Sequence, residues 1–148
     1  MNIVTHQPTM TPMFPLQKSN SLQAKPYSAL PRELVIIDPG VEDYQILAAA
    51  VRPESEVVVL HPHEDGIAQI TQLVAGTGQY RRTTTLHLIS HGEPGTLYLG
   101  NRILNRETLP HYAPQLQQWR IKQLHIYGCQ VAAGTEGQEF LQQLHRYT

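Results

Sequence analysis

The chain has 148 residues, 41% hydrophobic and 16% charged, a balance that fits one globular domain around a single core. A formal net charge of −1 offers no basic field for a phosphate backbone, which excludes nucleic acid as an expected partner. No apolar stretch approaches the roughly 18 residues of a membrane span, and the N-terminus lacks the basic region and apolar core of a secretion signal, so a cytoplasmic location is the default expectation. The single cysteine, Cys129, excludes an internal disulfide.

Residues 1–33 carry Pro8, Pro12, Pro15, Pro26 and Pro31 among Ser, Thr, Gln and Asn with no sustained period, which predicts a disordered leader ahead of one domain over 34–148. From Leu34 the texture changes. "ELVIIDPG" predicts a strand closed by Pro39-Gly40, and Val41, Tyr44, Leu47 and Ala48 fall at helical spacing after it. "SEVVVL" predicts the next strand, and Ile67, Ile70, Leu73 and Val74 form the stripe of a helix opening near Asp65. "TTLHLIS" predicts a third strand. "TLYLGNRIL" then reads as a β-hairpin turning at Gly100-Asn101, and a short helix is expected over 114–119. "KQLHIYG" predicts a fourth strand. The last segment begins with Thr135 and Gln138 in capping-box order and sets Phe140, Leu141 and Leu144 on one face.

Alternating strands and helices predict a three-layer α/β/α sandwich with a mainly parallel sheet. In such sheets every strand exit opens on one edge, where ligands bind. Two exits carry chemistry: "LISHGEPG" delivers His91 and Gly92, and "LHIYGCQ" delivers Cys129. Neighbouring strands lie about 4.8 Å apart, so an imidazole and a thiol at adjacent exits could form a nucleophilic dyad, the imidazole accepting the thiol proton. Gly92 turns the chain behind His91, and its N–H beside that of Cys129 offers two donors for the oxygen of a tetrahedral intermediate. Asp38 and Glu93 are candidates to orient the imidazole.

Each residue also has a plainer role. Cys129 serves equally as a small buried hydrophobe, His91 as a turn residue, and the two carboxylates as solvated loop groups. His87 and His125, in mid-strand, are expected as packed, hydrogen-bonded rings. His61 and His63 match no zinc spacing, and neither a metal nor another cofactor is expected. An α/β-hydrolase is disfavoured because no Gly-x-Ser-x-Gly elbow occurs.

The segments "ELVIIDPGVEDYQIL", "HPHEDGIAQIT", "LHLISHGEPGTLYLGN", "YAPQLQQW" and "LHIYGCQVAAGTEGQEFLQQL", taken in order, resemble the bacterial domain-of-unknown-function family 4347 over 34–147. That family is often found near the start of very large surface or calcium-binding repeat proteins, a context that implies surface or secreted proteins. It looks like a distant branch of the caspase–gingipain cysteine peptidases. The resemblance implies a caspase-like fold with His91 as general base, Cys129 as nucleophile and the N–H groups of Gly92 and Cys129 as the oxyanion site. The substrate would be a polypeptide or the parent chain itself. "YGCQVAAG" departs from the caspase signature around the cysteine, which argues against cleavage after acidic residues. Family members continue past the last helix into a further strand, so a C-terminally truncated domain with an uncovered edge open to self-association is expected. The alternative function is a non-catalytic docking or scaffold module.

Overall fold

The computed structural model describes residues 1–6 and 32–148. The elements in chain order are strand β1 (Asn2–His6), β2 (Glu33–Ile37), helix α1 (Tyr44–Ala50), β3 (Glu56–Val59), α2 (Gly66–Ala75) and a 3₁₀ turn (Gln79–Arg82). There follow β4 (Thr85–Ile89), β5 (Gly92–Glu93), β6 (Thr96–Leu99), β7 (Arg102–Asn105), α3 (Leu109–Leu116), β8 (Gln123–Tyr127) and α4 (Gly134–Tyr147). A five-stranded, all-parallel sheet has the order β1-β8-β4-β2-β3, and β5-β6-β7 form a small antiparallel sheet beside it. The architecture is a three-layer α/β/α sandwich.

Period-two alternation builds the main core. Register places Leu34, Leu86 and Leu124 in one row and Ile36, Leu88 and Ile126 in the next, all on one face of the sheet and all but inaccessible. Ile67, Ile70 and Val74 of α2, Leu109, Tyr112 and Leu116 of α3, and Phe140 and Leu144 of α4 cover those rows. Handedness explains the third layer. The β3-to-β4 and β4-to-β8 connections run one way along the sheet and the β2-to-β3 connection runs the other, so right-handed crossovers put α1 on the opposite face from α2 and α3. The helical stripe expected in α1 is not buried: no residue of α1 is buried, and Ile46 is 66% exposed.

Three further sequence-based expectations need correction. The leader expected over 1–33 does not hold at its beginning: Asn2–His6 is an edge strand whose five residues register with those of β8, while 7–31 lie outside the described residues. Pairing with β8 overrides the short strand's weak local signal. The helix expected over 114–119 begins earlier, at Leu109, because Pro110 takes a first-turn position where a missing N–H costs nothing. The Asn105 carboxamide prepares that start by accepting the N–H groups of Glu107 and Thr108. The capping box at Thr135 and Gln138 is not formed. α4 instead starts at Gly134, at φ 64°, behind Ala133, with no side-chain cap. The hairpin is as expected, Leu99 facing Arg102 across Gly100-Asn101.

The second face of the sheet carries a row of stacked rings. His6 stacks on His125 and Tyr127, and His87 on His125, with centroid separations of 5.4, 4.7 and 4.7 Å. His6 Nε2 lies 3.1 Å from His125 Nδ1, and His87 Nδ1 lies 3.1 Å from the Tyr127 hydroxyl. A bond between two imidazoles needs one ring nitrogen without a proton, so charging both destroys it. Burial, then the neighbouring His125, holds His87 below its usual pKa; burial, then His6, does the same for His125, and in both Glu33 opposes the shift. Arg52 adds weakly to the lowering at His87.

A folded pKa below the unfolded value means the unfolded chain takes up protons first. Stability is therefore complete above the ordinary imidazole value of 6.5 and is lost as pH falls from there through the depressed folded values. The urea midpoint is expected to fall between about pH 7 and pH 5, and the double variant His87→Gln, His125→Gln to flatten that fall. An unchanged slope in the variant would remove these rings as its cause. Among the described residues, no helix is long and apolar enough to cross a membrane.

Candidate functional site

The two chemically loaded exits do lie side by side. β4 and β8 are paired in parallel, with Ile89 opposite Tyr127, and Ser90 N–H donates to Tyr127 O at 3.2 Å. His91 and Cys129 leave the same edge two residues later, and both are exposed. Exposure removes the reading of Cys129 as buried filler. Among the described residues its backbone N–H makes no hydrogen bond.

Gly92 makes the close approach of the two loops possible. A Cβ there would strike Val131 Cγ2 and sit 3.2 Å from both Cys129 O and Thr96 O. Tyr98 N–H donates to His91 O at 3.2 Å, which makes Gly92 and Leu97 a non-hydrogen-bonded pair of the β5-β6 ladder. The Gly92 N–H consequently points out of that ladder. A further bond, from Gly95 N–H to Val131 O at 3.0 Å, stitches the histidine loop to the cysteine loop.

The imidazole is held by a backbone carbonyl. His91 Nε2 lies 2.8 Å from Gly40 O, and since a carbonyl only accepts, the ring proton sits on Nε2 and Nδ1 of the neutral ring keeps its lone pair. Asp38 acts one step back. It is buried, its Oδ1 accepts Gly40 N–H at 2.8 Å, and its Oδ2 accepts Gly100 N–H at 2.6 Å. The carboxylate thus fixes the loop that fixes the ring, without a hydrogen bond to the ring itself. Glu93 faces a different group, the Tyr98 hydroxyl, whose pKa is raised by desolvation and by that carboxylate.

The remaining histidines fall elsewhere. His87 and His125 are the packed, hydrogen-bonded rings of the second face. His61 Nδ1 lies 3.8 Å from Glu64, and among the described residues no group of three or more His, Cys, Asp and Glu side chains is placed to hold a metal ion. The carbonyl of Gly40 and the anchoring of its loop through Gly100 had no counterpart in the sequence reading. "DPG" closing a strand was the available signal, and it marked a turn without saying what the turn would touch.

Away from this rim, a concavity of about 510 Å³ lies between the β6-β7 hairpin and α3. Asp65 organises it, capping α2 through Ala68 N–H, accepting the Tyr112 hydroxyl at 2.9 Å and facing Arg102 at 3.5 Å.

Fold and rim together define a parallel α/β/α domain with a histidine and a cysteine at adjacent strand exits. The chain belongs to the family described as Domain of unknown function (DUF4347), whose profile matches residues 34–148. Comparison with curated proteins gives no match.

Proposed function

We propose that this domain is a cysteine peptidase in which Cys129 attacks a peptide carbonyl and His91 accepts and returns the proton. The pairing of β4 with β8 carries the reading, because it brings an exposed thiol and a carbonyl-anchored imidazole to one rim. The resemblance of the family to the caspase–gingipain peptidases, with His-Gly at one strand exit as in "LISHGEPG" and Cys at the next as in "LHIYGCQ", supports it.

In the proposed sequence, His91 Nδ1 takes the thiol proton, and Cys129 Sγ bonds to the carbonyl carbon. The oxyanion receives hydrogen bonds from the N–H groups of Gly92 and Cys129. Collapse breaks the C–N bond, the imidazolium gives its proton to the leaving amine, and water hydrolyses the thioester by the same proton route. Asp38 is a positioning residue, acting through Gly40. Glu93 is assigned no part in orienting the ring. The substrate is a polypeptide, which includes the parent chain.

The test is thiol reactivity. Iodoacetamide is expected to alkylate Cys129 at pH 7 faster than it alkylates a free-thiol standard, and His91→Ala to slow the reaction by about tenfold, because the thiolate is the nucleophile. Equal rates in the two proteins would leave Cys129 an inert surface thiol and the domain a docking module.

A further inference from the structure

The amino ends of the strands, opposite the rim, gather cations. Arg32 precedes β2, Arg81, Arg82, Thr83 and Thr84 precede β4, and Arg120 and Lys122 precede β8; together they line a concavity of about 390 Å³ with no acidic side chain in its wall among the described residues. These are five of the chain's eleven Lys and Arg residues, in a protein whose net charge is −1. Glu33, next to Arg32, is turned to other use and accepts from the Ser55 hydroxyl at 3.1 Å.

The cationic side chains are exposed, and backbone bonds fix the strand entries that carry them. Thr84 N–H and Thr85 N–H donate to Arg32 O at 2.8 and 2.9 Å, and Lys122 N–H donates to Thr84 O at 2.7 Å, which ties the three strand entries into one frame. Arg120 sits at φ 47°, in the left-handed region, between Trp119 and Ile121, which are 1% and 5% exposed. That backbone is strained for a non-glycine residue, and the buried neighbours hold it there. Thr83 supplies an independent sign. It is 5% exposed, and its buried Oγ1 has no hydrogen-bond partner among the described residues, in a structure where buried hydroxyls are ordinarily satisfied.

We infer that this concavity binds a compact, multiply charged phosphate group, held by Arg32, Arg81, Arg120 and Lys122, with Thr83 Oγ1 as a hydroxyl donor from the floor. Guanidinium forks match phosphate oxygens in pairs, and several converging cations favour an oligophosphate over a single carboxylate. A small, open concavity on a chain of nearly zero net charge fits a compact anion better than a nucleic acid backbone, which calls for an extended basic stripe. Inorganic oligophosphate and the phosphate tail of a nucleotide share this chemistry. β4 spans about 17 Å at the usual rise per residue, so the ligand sits at the far end of the same strands that carry His91 and Cys129.

Calorimetric titration of the full chain with sodium tripolyphosphate is expected to give saturable one-to-one binding. Arg120→Gly, which suits the left-handed backbone while removing the charge, and Lys122→Gln are each expected to weaken it about tenfold, the size of one lost charge-assisted bond. Thr83→Val is expected to weaken binding while leaving the thermal midpoint of the ligand-free protein unchanged or higher, since the hydroxyl has no bond to lose. Arg106→Ala, at the ion pair with Glu139, serves as a control expected to bind normally. ATP binding as well as tripolyphosphate would identify the phosphate chain as the whole ligand, and ATP binding tighter would add a nucleoside to it. Absence of saturable binding, affinity unchanged from the parent in both Arg120→Gly and Thr83→Val, or preference for a single-stranded oligonucleotide over tripolyphosphate would overturn the assignment.

Discussion

Replacing Cys129 by alanine is expected to abolish peptide cleavage by the purified chain, lowering the rate by a factor on the order of 10⁴ or more, as loss of a nucleophile does in other covalent peptidases. The size of the effect follows from the mechanism: without the sulfur no acyl-enzyme forms, and the free N–H groups of the rim have no tetrahedral adduct to stabilise. His91→Ala is expected to cost nearly as much. The double variant should be no worse than either single one, because base and nucleophile act as a unit. A peptide library read by mass spectrometry checks all three proteins against the parent, and cleavage that persists in Cys129→Ala would remove the thiol from the mechanism. Folding does not complicate the Cys129→Ala comparison, since the exposed Cys129 side chain fills no core position.

The second large effect is on stability. Gly100→Ala is expected to lower it by about 3 kcal/mol, combining the cost of a side chain in the left-handed region with that of forcing atoms into a packed turn. Gly100 lies at φ 61°, an added Cβ would strike Glu64 O and lie 3.1 Å from Gly66 N, and its own N–H donates to Asp38 Oδ2. For a domain of this size that is a fall of about 10 °C in the thermal midpoint. The damage should also travel. Asp38 joins the hairpin turn to the Gly40 loop, and Gly40 O holds the His91 ring. Iodoacetamide alkylation of Cys129 is therefore expected to slow in Gly100→Ala even well below its melting temperature. An unchanged midpoint would show that the turn relaxes at no cost.

How much of this was legible in the sequence depends on how local each signal is. β2, β4 and β8 announce themselves by β-branched and alternating apolar runs, and the two exits could be paired because consecutive strands tend to be neighbours. Asn2–His6 could not be seen, because five residues ahead of a proline-rich stretch become a strand only through β8. The start of Leu109–Leu116 was obscured because Pro114 suits a first turn as well as Pro110 does, and the sequence does not say which of the two opens the helix. Thr135 and Gln138 offered a capping pattern that tertiary packing overrode: Gly137, pressed against Ala132, lets the helix begin before them.

The site divides along the same line. His91, Gly92 and Cys129 were legible as residues, since strand, glycine and reactive side chain sit together in the sequence. The carbonyl that aims the imidazole was not, because Gly40 is 51 residues from His91 and presents only backbone. The cationic concavity was hidden for a related reason: Arg32, Arg81, Arg120 and Lys122 are scattered singly or in pairs, and only the register of three parallel strands brings them together. Net charge, which sums over the whole chain, carries no trace of such a gathering.

The account rests on the thiol and the imidazole sharing one rim, and a proximity measurement tests that without any assumption about substrate. The variant His91→Cys places a second thiol at the exit of β4, beside the exit of β8, and a disulfide closes only where the two Cα atoms lie within about 7 Å. Mild oxidation of the folded variant is expected to yield a monomeric protein with no thiol left to titrate and an internal 91–129 cross-link in its peptide map. Two thiols that stay free and fully reactive after oxidation would contradict the shared rim and the peptidase built on it.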